Sequence, residues 1–419
     1  MTLVSLEALT FGLGRLVDAV RARDHRLRLL TCGRDVYRYE LDRLAADPSA
    51  PLDVVDVDTF DTDAVRRALA EVPDLRGLIS STDTWSLVAL DLLAELGLPG
   101  PAPAAVRLVR DKARLRDHLH RAGLSRGASH AFDPATTTAA ELAPRVSYPA
   151  IVKDTAGTGS QNVWLLGGPE DLDDVLAAGR AARLRGALLV EPYFAGPLFS
   201  AETLTWDGET RLLGVSSRGL SAEPHFREES LSFPVAFPPE RAAELADWIT
   251  RVLAAVGFDD GFAHTEFVLT ADGPEVVEIN PRLGGALVGE AVSRSLELNI
   301  YDAFVDLALG RRPALMDAPL KPVRGVAQVL LYADRVGTFR GVDGLDRLPG
   351  HPGSPALLPT AAEGRRVEHL TDQRGSVGIV LAEGETAELA LHNVLSAAGK
   401  LRVRVTGAEA DTEGEPERG

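Results

Sequence analysis

Two glutamates and an asparagine carry the strongest chemical signal in the chain. Glu266 lies in the run Phe262–Thr270, Glu278 and Asn280 lie in the run after it, and Ala271-Asp272-Gly273-Pro274 separates them. Apolar residues alternate on both sides of this Gly-containing turn, so the stretch reads as a β-hairpin. Residues two apart on a strand share a face, which aims Glu278 and Asn280 the same way, and register can bring Glu266 beside them. Three oxygen ligands with no cysteine nearby, and only His264 as a nitrogen alternative, suit a hard octahedral cation such as Mg²⁺. Arg282, another two residues on, is a planar donor for a carboxylate or phosphate. A salt-bridged surface hairpin is the plain alternative. The exit Asn280-Pro281-Arg282-Leu283-Gly284-Gly285 speaks against it, because Pro ends pairing and the glycines let a ligand approach the backbone.

Lysine usage gives a second signal. Of 44 basic residues only Lys112, Lys153, Lys321 and Lys400 are lysine. A compact ammonium suits phosphate oxygens where a guanidinium lacks room, so each of these positions invites a question. Lys153 ends the strand-like run from Tyr148 and precedes Asp154-Thr155-Ala156-Gly157-Thr158-Gly159-Ser160, with a returning strand at Asn162–Leu166. Such a loop can fold over phosphates, offering backbone N–H groups while Lys153 supplies charge. Lysine before the loop is not the Walker order, and a merely flexible hairpin loop is the alternative. Ala187–Phe194 reads as an apolar strand reaching Glu191, whose carboxylate and backbone can bracket a purine and its ribose. An antiparallel strand from Leu198 to Leu204 follows, carrying Glu202.

These residues need a scaffold, and 419 residues allow two to four compact units. Residues 1–100 alternate strands (Leu27–Leu30, Val54–Val57, Leu75–Ser80) with helical stretches (Leu16–Val20, Asp63–Leu69, Ser86–Leu96), the pattern of a parallel α/β unit. Gly12-Leu13-Gly14 lacks the third glycine of a dinucleotide fingerprint. Ser80-Ser81-Thr82-Asp83 is expected to cap the following helix rather than touch substrate. A proline- and glycine-rich punctuation at 98–103 precedes a helix over 106–122 with Asp111-Lys112 near its middle. Ser221–Pro234 reads as an acidic loop, Ala242–Val256 as a helix, and an α+β unit follows Gly310 with strands at Val323–Tyr332, Gly375–Ala382 and Leu401–Val405. The residues from Gly407 have no apolar period and are expected to be disordered. A net charge of −17 disfavours nucleic acid and anionic membrane as partners. The single Cys32 and the lack of a long apolar run or signal peptide point to a cytoplasmic protein.

Taken in order, the helix lysine, the lysine before a Gly-rich loop, the Glu-terminated strand and Glu…Glu-x-Asn-x-Arg resemble the ATP-grasp carboxylate–amine ligases. Asp111-Lys112-Ala113-Arg114, Phe199-Ser200-Ala201-Glu202, His264-Thr265-Glu266 and Glu278-Ile279-Asn280-Pro281-Arg282 resemble the L-amino-acid ligase and carnosine-synthase-like branch. The resemblance implies an α/β and α+β architecture in five parts. These are an N-terminal Rossmann-like parallel unit (1–100), a small lid subdomain (101–187), a large subdomain with the metal site (188–312), a C-terminal α+β domain (313–406) and a tail (407–419). It implies that Lys112 and Lys153 contact ATP phosphates beneath Thr155, Gly157, Gly159 and Ser160. Glu191 and Phe194 would sit at adenine and ribose, with Glu202 grouped among the nucleotide-binding residues. Glu266, Glu278 and Asn280 would hold two Mg²⁺, or Mn²⁺. Arg282, with Lys153, would be catalytic and would face an acyl phosphate or substrate carboxylate, and Gly284, Gly285 and Glu228 would line the substrate. The implied reaction joins a carboxylate to an amine, with small-molecule partners and a homodimer as the family expectation. Two departures stand out: Asp154 follows the phosphate lysine where proline is common, and Leu231 takes a usual histidine place in Glu228-x-x-Leu231-x-x-Pro234. The same scaffold also leaves open a carboxylase or a nucleotide-precursor ligase, and the two departures leave open a weakened ATP-binding regulator.

Overall fold

Four parallel strands open the chain in the computed structural model, which describes residues 1–407. They are β1 (Thr2–Leu6), β2 (Arg26–Thr31), β3 (Leu52–Asp56) and β4 (Leu75–Ile79), in the order β3-β2-β1-β4. Parallel neighbours need crossovers, and helices Leu13–Arg21, Arg38–Ala45 and Thr62–Ala70 supply them. Strand β1 escaped sequence reading although Leu3, Val4 and Leu6 are fully buried at the centre of the sheet. A five-residue strand that mixes Thr2 and Ser5 with Leu3, Val4 and Leu6, with no turn signal before it, gives periodicity little to work on.

Strands β5 (His130–Phe132), β6 (Ala150–Asp154), β7 (Val163–Leu166) and β8 (Leu188–Pro192) form an antiparallel sheet ordered β5-β8-β6-β7. Its apolar face packs on helix Leu172–Ala181 through Val152, Leu166, Val175, Leu176 and Leu188. Two helices precede it, and here the sequence expectation is corrected. The run 106–122 is not one helix but two, Pro103–Val109 and Lys112–Arg121, broken at Arg110-Asp111. Asp111 caps the second helix, its carboxylate accepting the N–H groups of Ala113 and Arg114, an arrangement worth about 1 kcal/mol. Lys112 therefore sits at the first position of a helix, not in its middle.

The largest sheet has eight antiparallel strands in the order β13-β12-β9-β10-β11-β14-β18-β16. These are β9 (Leu198–Trp206), β10 (Glu209–Leu220), β11 (Glu228–Phe233), β12 (Gly261–Thr270), β13 (Gly273–Asn280), β14 (Gly325–Tyr332), β16 (Ala356–Pro359) and β18 (Ser376–Gly384). Much of the expected acidic loop at 221–234 is thus strand β11. Leu231 and Phe233 go to the core at 0% exposure, while Glu228 leads the strand. The sheet runs unbroken from the hairpin to β14, β18 and β16, so the expected division at 312/313 falls within one sheet in space. Strands β15 (Gly337–Asp343), β17 (Arg366–Val367) and β19 (Arg402–Thr406) form a small sheet beside helix Ala387–Ala398. The expected disordered tail lies, from residue 408 on, outside the described residues. Among the described residues no helix is long and apolar enough to cross a membrane.

Candidate active site

The hairpin of β12 and β13 forms as the alternation requires, turning at Ala271-Asp272. Its register puts Glu266 directly opposite Glu278 and His264 opposite Asn280. Like charges facing each other across two strands repel, and neighbouring cations hold them. Lys112 Nζ lies 3.1 Å from Glu278 Oε2, and Arg218 Nη2 lies 3.3 Å from Glu266 Oε1. Burial alone would raise the Glu278 carboxyl, but Lys112, then the Asn280 amide and Lys153, hold it well below the usual range. Burial also opposes ionisation of Glu266, and Arg218 and His264 outweigh it to keep its pKa low. The Asn280 amide donates to Glu278 Oε1 at 2.8 Å, so Asn280 orients that carboxylate.

Lys112 connects the hairpin to the Gly-rich loop. Its ammonium also donates to Gly157 O at 2.5 Å, and its backbone N–H donates to Thr155 O. Across the site Lys153 Nζ meets Glu191 Oε1 at 2.5 Å and donates to Val277 O at 3.2 Å. Arg116, one helical turn beyond Lys112, places Nε and Nη2 at 2.9 Å from Glu191 Oε2 and stacks 5.3 Å over Phe194. Burial pushes the Lys153 ammonium pKa down, with Arg116 and Lys112 adding to that against the pull of Glu191. Glu191 itself is held low, Arg116 and Lys153 overcoming burial.

Lys112, Lys153, Gly157, Gly159, Ser160, Glu191, Phe194, Glu228, Glu266 and Glu278 all border one cavity of about 380 Å³, within the usual size of small-molecule sites. Its loop is conformationally demanding, with Gly159, Ser160 and Asn162 all at positive φ (64°, 59° and 56°). Non-glycine residues in that region cost on the order of 1 kcal/mol and cluster at ligand clamps. Asp154, which follows Lys153, borders the same cavity, but its carboxylate is engaged at the loop base. Its carboxylate accepts the backbone N–H groups of Ala156, Arg185 and Gly186 at 2.9, 2.7 and 3.1 Å, fixing the base of the loop.

Other expected residues sit elsewhere. Thr155 is at the loop base, its N–H bonded to Ala187 O, and is absent from the cavity wall. Glu202 is fully buried behind the wall, accepting from His264 Nδ1 at 2.6 Å and Gly284 N at 3.3 Å. Burial would lower the His264 pKa, but Glu202 lifts it to about 9, so the ring is cationic at neutral pH. Gly284 and Gly285 lie off the wall too. Arg282 donates through Nε to Asp83 Oδ2 at 2.6 Å, and Arg110 lies 3.0 Å from Asp83 Oδ1. Asp83 is therefore an ion-pair partner across two units, and helix Ser86–Leu96 starts without a side-chain cap. Arg282 lines a second, mostly apolar cavity of about 240 Å³ with Ile79, Ser80, Trp206, Phe262 and Phe304.

Sequence reading missed Arg218, Arg116, Gln373 and Asp83 as site residues. Arg116 had a signal, four residues after Lys112 on one helix face. Arg218 had none in so Arg-rich a chain. For a divalent cation, the donor set is two opposed carboxylates in a wall of hard oxygens. Among the described residues no group of three His, Cys, Asp or Glu forms a complete metal cage. The facing Glu266 and Glu278 carboxylates are the hard oxygen donors that fit Mg²⁺, which is commonly bound by one or two carboxylates together with substrate phosphates and water.

Comparison with known proteins gives this geometry a family. Residues 146–290 match the ATP-grasp domain and residues 329–406 match L-amino acid ligase C-terminal domain 2. The L-amino acid ligase from Bacillus licheniformis superposes with a TM-score of 0.80 at 20% identity, covering 97% of this chain and 98% of that one. Carnosine synthase 1 of Gallus gallus is 30% identical over 63% of this chain and 31% of its own length. The protein y4rH of Sinorhizobium fredii is 28% identical over 81% of this chain and 72% of its own. The chain thus spans about a third of the avian carnosine synthase it matches. The fold is that of the ATP-grasp enzymes. The matched residues and relatives make the chain similar to carboxylate–amine ligases of the L-amino acid ligase and carnosine synthase type.

Proposed function

We propose that the protein couples a carboxylate to an amine, most simply an amino acid, at the expense of ATP, giving an amide or dipeptide with ADP and phosphate. One observation carries this reading. Lys112 joins Glu278 to the Gly-rich loop on the wall of a cavity that also holds Lys153, Glu191 and Glu266.

A carboxylate is a poor electrophile. Transfer of the terminal phosphoryl group of ATP to its oxygen makes an acyl phosphate; the amine then attacks the carbonyl carbon and phosphate departs. Phosphoryl transfer depends on positioning and on neutralising charge. In this reading Lys112 and Lys153 face the phosphates, Glu191 and Phe194 the nucleoside, and Glu266 and Glu278 would hold Mg²⁺, oriented by Asn280. Bound there, Mg²⁺ supplies Lewis-acid neutralisation of phosphate charge. The Gly157–Ser160 loop excludes water from the acyl phosphate. Glu228 borders the same cavity with its Oε1 buried and unpartnered, an acceptor suited to substrate. Divisions near residues 100, 187 and 312 and a homodimeric assembly belong to the same proposal.

The test is ADP release with ATP and Mg²⁺ across paired amino acids and small carboxylic acids, with mass spectrometry of the products. Release that needs both partners, with a product mass equal to their sum less water, is the expected result. Phosphate release with bicarbonate and one small molecule would instead point to carboxylation.

A further inference from the structure

We infer that Gln373, contributed by the C-terminal domain, is a positioning residue that ties closure of the Gly157–Ser160 loop to the aim of the Glu228 carboxylate. The inference rests on the ligase reading for the role of Glu228 but not for the contact itself. Gln373 borders the 380 Å³ cavity from a short helical turn, Gln373–Gly375, that Asp372 caps by accepting from Arg374 N–H at 2.9 Å. Two of its groups reach in two directions. Its side-chain Nε2 donates to Glu228 Oε2 at 2.8 Å, and its backbone N–H lies 3.4 Å from Gly159 O.

The geometry at each end is selective. Glu228 Oε2 takes both Gln373 and Arg218, the latter at 2.7 Å, which leaves Oε1 as the free oxygen of a carboxylate only 4% exposed. Gln373 and Arg218 together therefore hold Oε2 and leave Oε1 available. At the loop, Gly159 is at φ 64°, and a Cβ there would approach Gln373 Oε1 to 3.3 Å. Glycine at that position serves the close approach of Gln373 as well as the backbone turn. The start of β11 is clamped to the same domain by Tyr332 O–H donating to Glu228 O at 2.7 Å and by Arg227 stacked 3.9 Å over Tyr332. Held by these contacts, β11 is a fixed base, and the loop is the part that Gln373 fastens to it. A closed loop and a correctly aimed Glu228 are thus two consequences of one residue, whose side chain anchors it to Glu228 while its backbone N–H holds Gly159 O.

Gln373→Met keeps the length and shape and removes the donor. Two readouts test it in the full-length protein. With a non-hydrolysable ATP analogue and Mg²⁺, hydrogen exchange at residues 157–161 slows in the wild type; in Gln373→Met that protection is expected to weaken about tenfold, the scale of one hydrogen bond to a charged group. With substrates, the variant is expected to raise the KM of one substrate more than it lowers kcat and to release several ADP per amide. A purely structural role would shift the melting temperature and leave the ADP-to-amide ratio at the wild-type value. Gln373→Asn, shortened by one methylene, serves where Met does not fold. Unchanged loop protection in the variant, or no nucleotide-dependent protection in the wild type, overturns the inference. Absence of amide from the wild type defeats the ligase reading instead, while the exchange measurement still judges the contact.

Discussion

Glu278 shows how much a single side chain carries. It faces Glu266 across the hairpin, takes Lys112 on one oxygen and the Asn280 amide on the other, and stays ionised although burial opposes it. Glu278→Gln preserves size and removes the charge, leaving Lys112 tied only to the loop carbonyl. ADP release is expected to fall at least about 100-fold, the scale of losing one preorganised electrostatic group, with a melting temperature close to that of the wild type. Near-normal turnover would remove Glu278 from the site. At this scale the sequence pattern is informative: two scarce lysines, four glutamates and the Gly-rich loop do border one cavity. What it could not show is which arginines neutralise them. Arg218 sits 48 residues before Glu266, and the pairing comes only from the packing of β10 against its neighbours.

Elements were legible where pattern and punctuation agreed. The β12–β13 hairpin has both alternation and a Gly-containing turn, and its strands lie close to their expected bounds. Apolar spacing continues across Arg110-Asp111 and predicts one helix over 106–122, whereas Asp111 caps a second helix and splits the run. Strand β11 was hidden by its acidic neighbours, and β1 by its position at the start of the chain. Glu7, just past β1, shows what that strand organises: its carboxylate accepts Cys32 N–H at 2.8 Å and the Tyr37 and Thr59 hydroxyls at 2.7 Å. Burial would raise its pKa, yet these hydrogen bonds hold it below the ordinary 4.5. A carboxyl with a lowered folded-state pKa adds stability that is fully present above the unfolded value and is lost as pH falls through the folded one. Urea unfolding of wild type against Glu7→Gln is therefore expected to differ most above about pH 5 and to converge as the pH drops below 4. A gap that stays constant across that range would assign the difference to shape rather than charge.

The whole molecule is held by contacts that no local pattern announces. Arg15 pairs with Glu290 and Arg23 with Asp302 and Asp306, tying the first helix to the helices after the hairpin. The tie nearest the site joins Asp83, beyond β4, to Arg282, beyond β13, across 199 residues of sequence. Single-sequence reading gave both residues local roles, a helix cap and a substrate donor, because their separation leaves no spacing to read. Asp83 is 6% exposed in its side chain and Arg282 15%, and burial acts against the guanidinium while Asp83 raises its pKa. Asp83→Ala leaves that guanidinium buried with only the Leu283 carbonyl and should cost about 3 kcal/mol in a urea melt. It should also lower amide formation, since Arg282 is no longer fixed between the parallel sheet and the hairpin. Removing both partners as Asp83→Ala with Arg282→Met leaves Arg110 without Asp83 but no longer strands the Arg282 guanidinium. The double variant should therefore lose less than the sum of the single losses, with a coupling of at least about 1 kcal/mol. Strictly additive losses would mean that Asp83 and Arg282 act independently and that the N-terminal sheet does not set the position of Arg282.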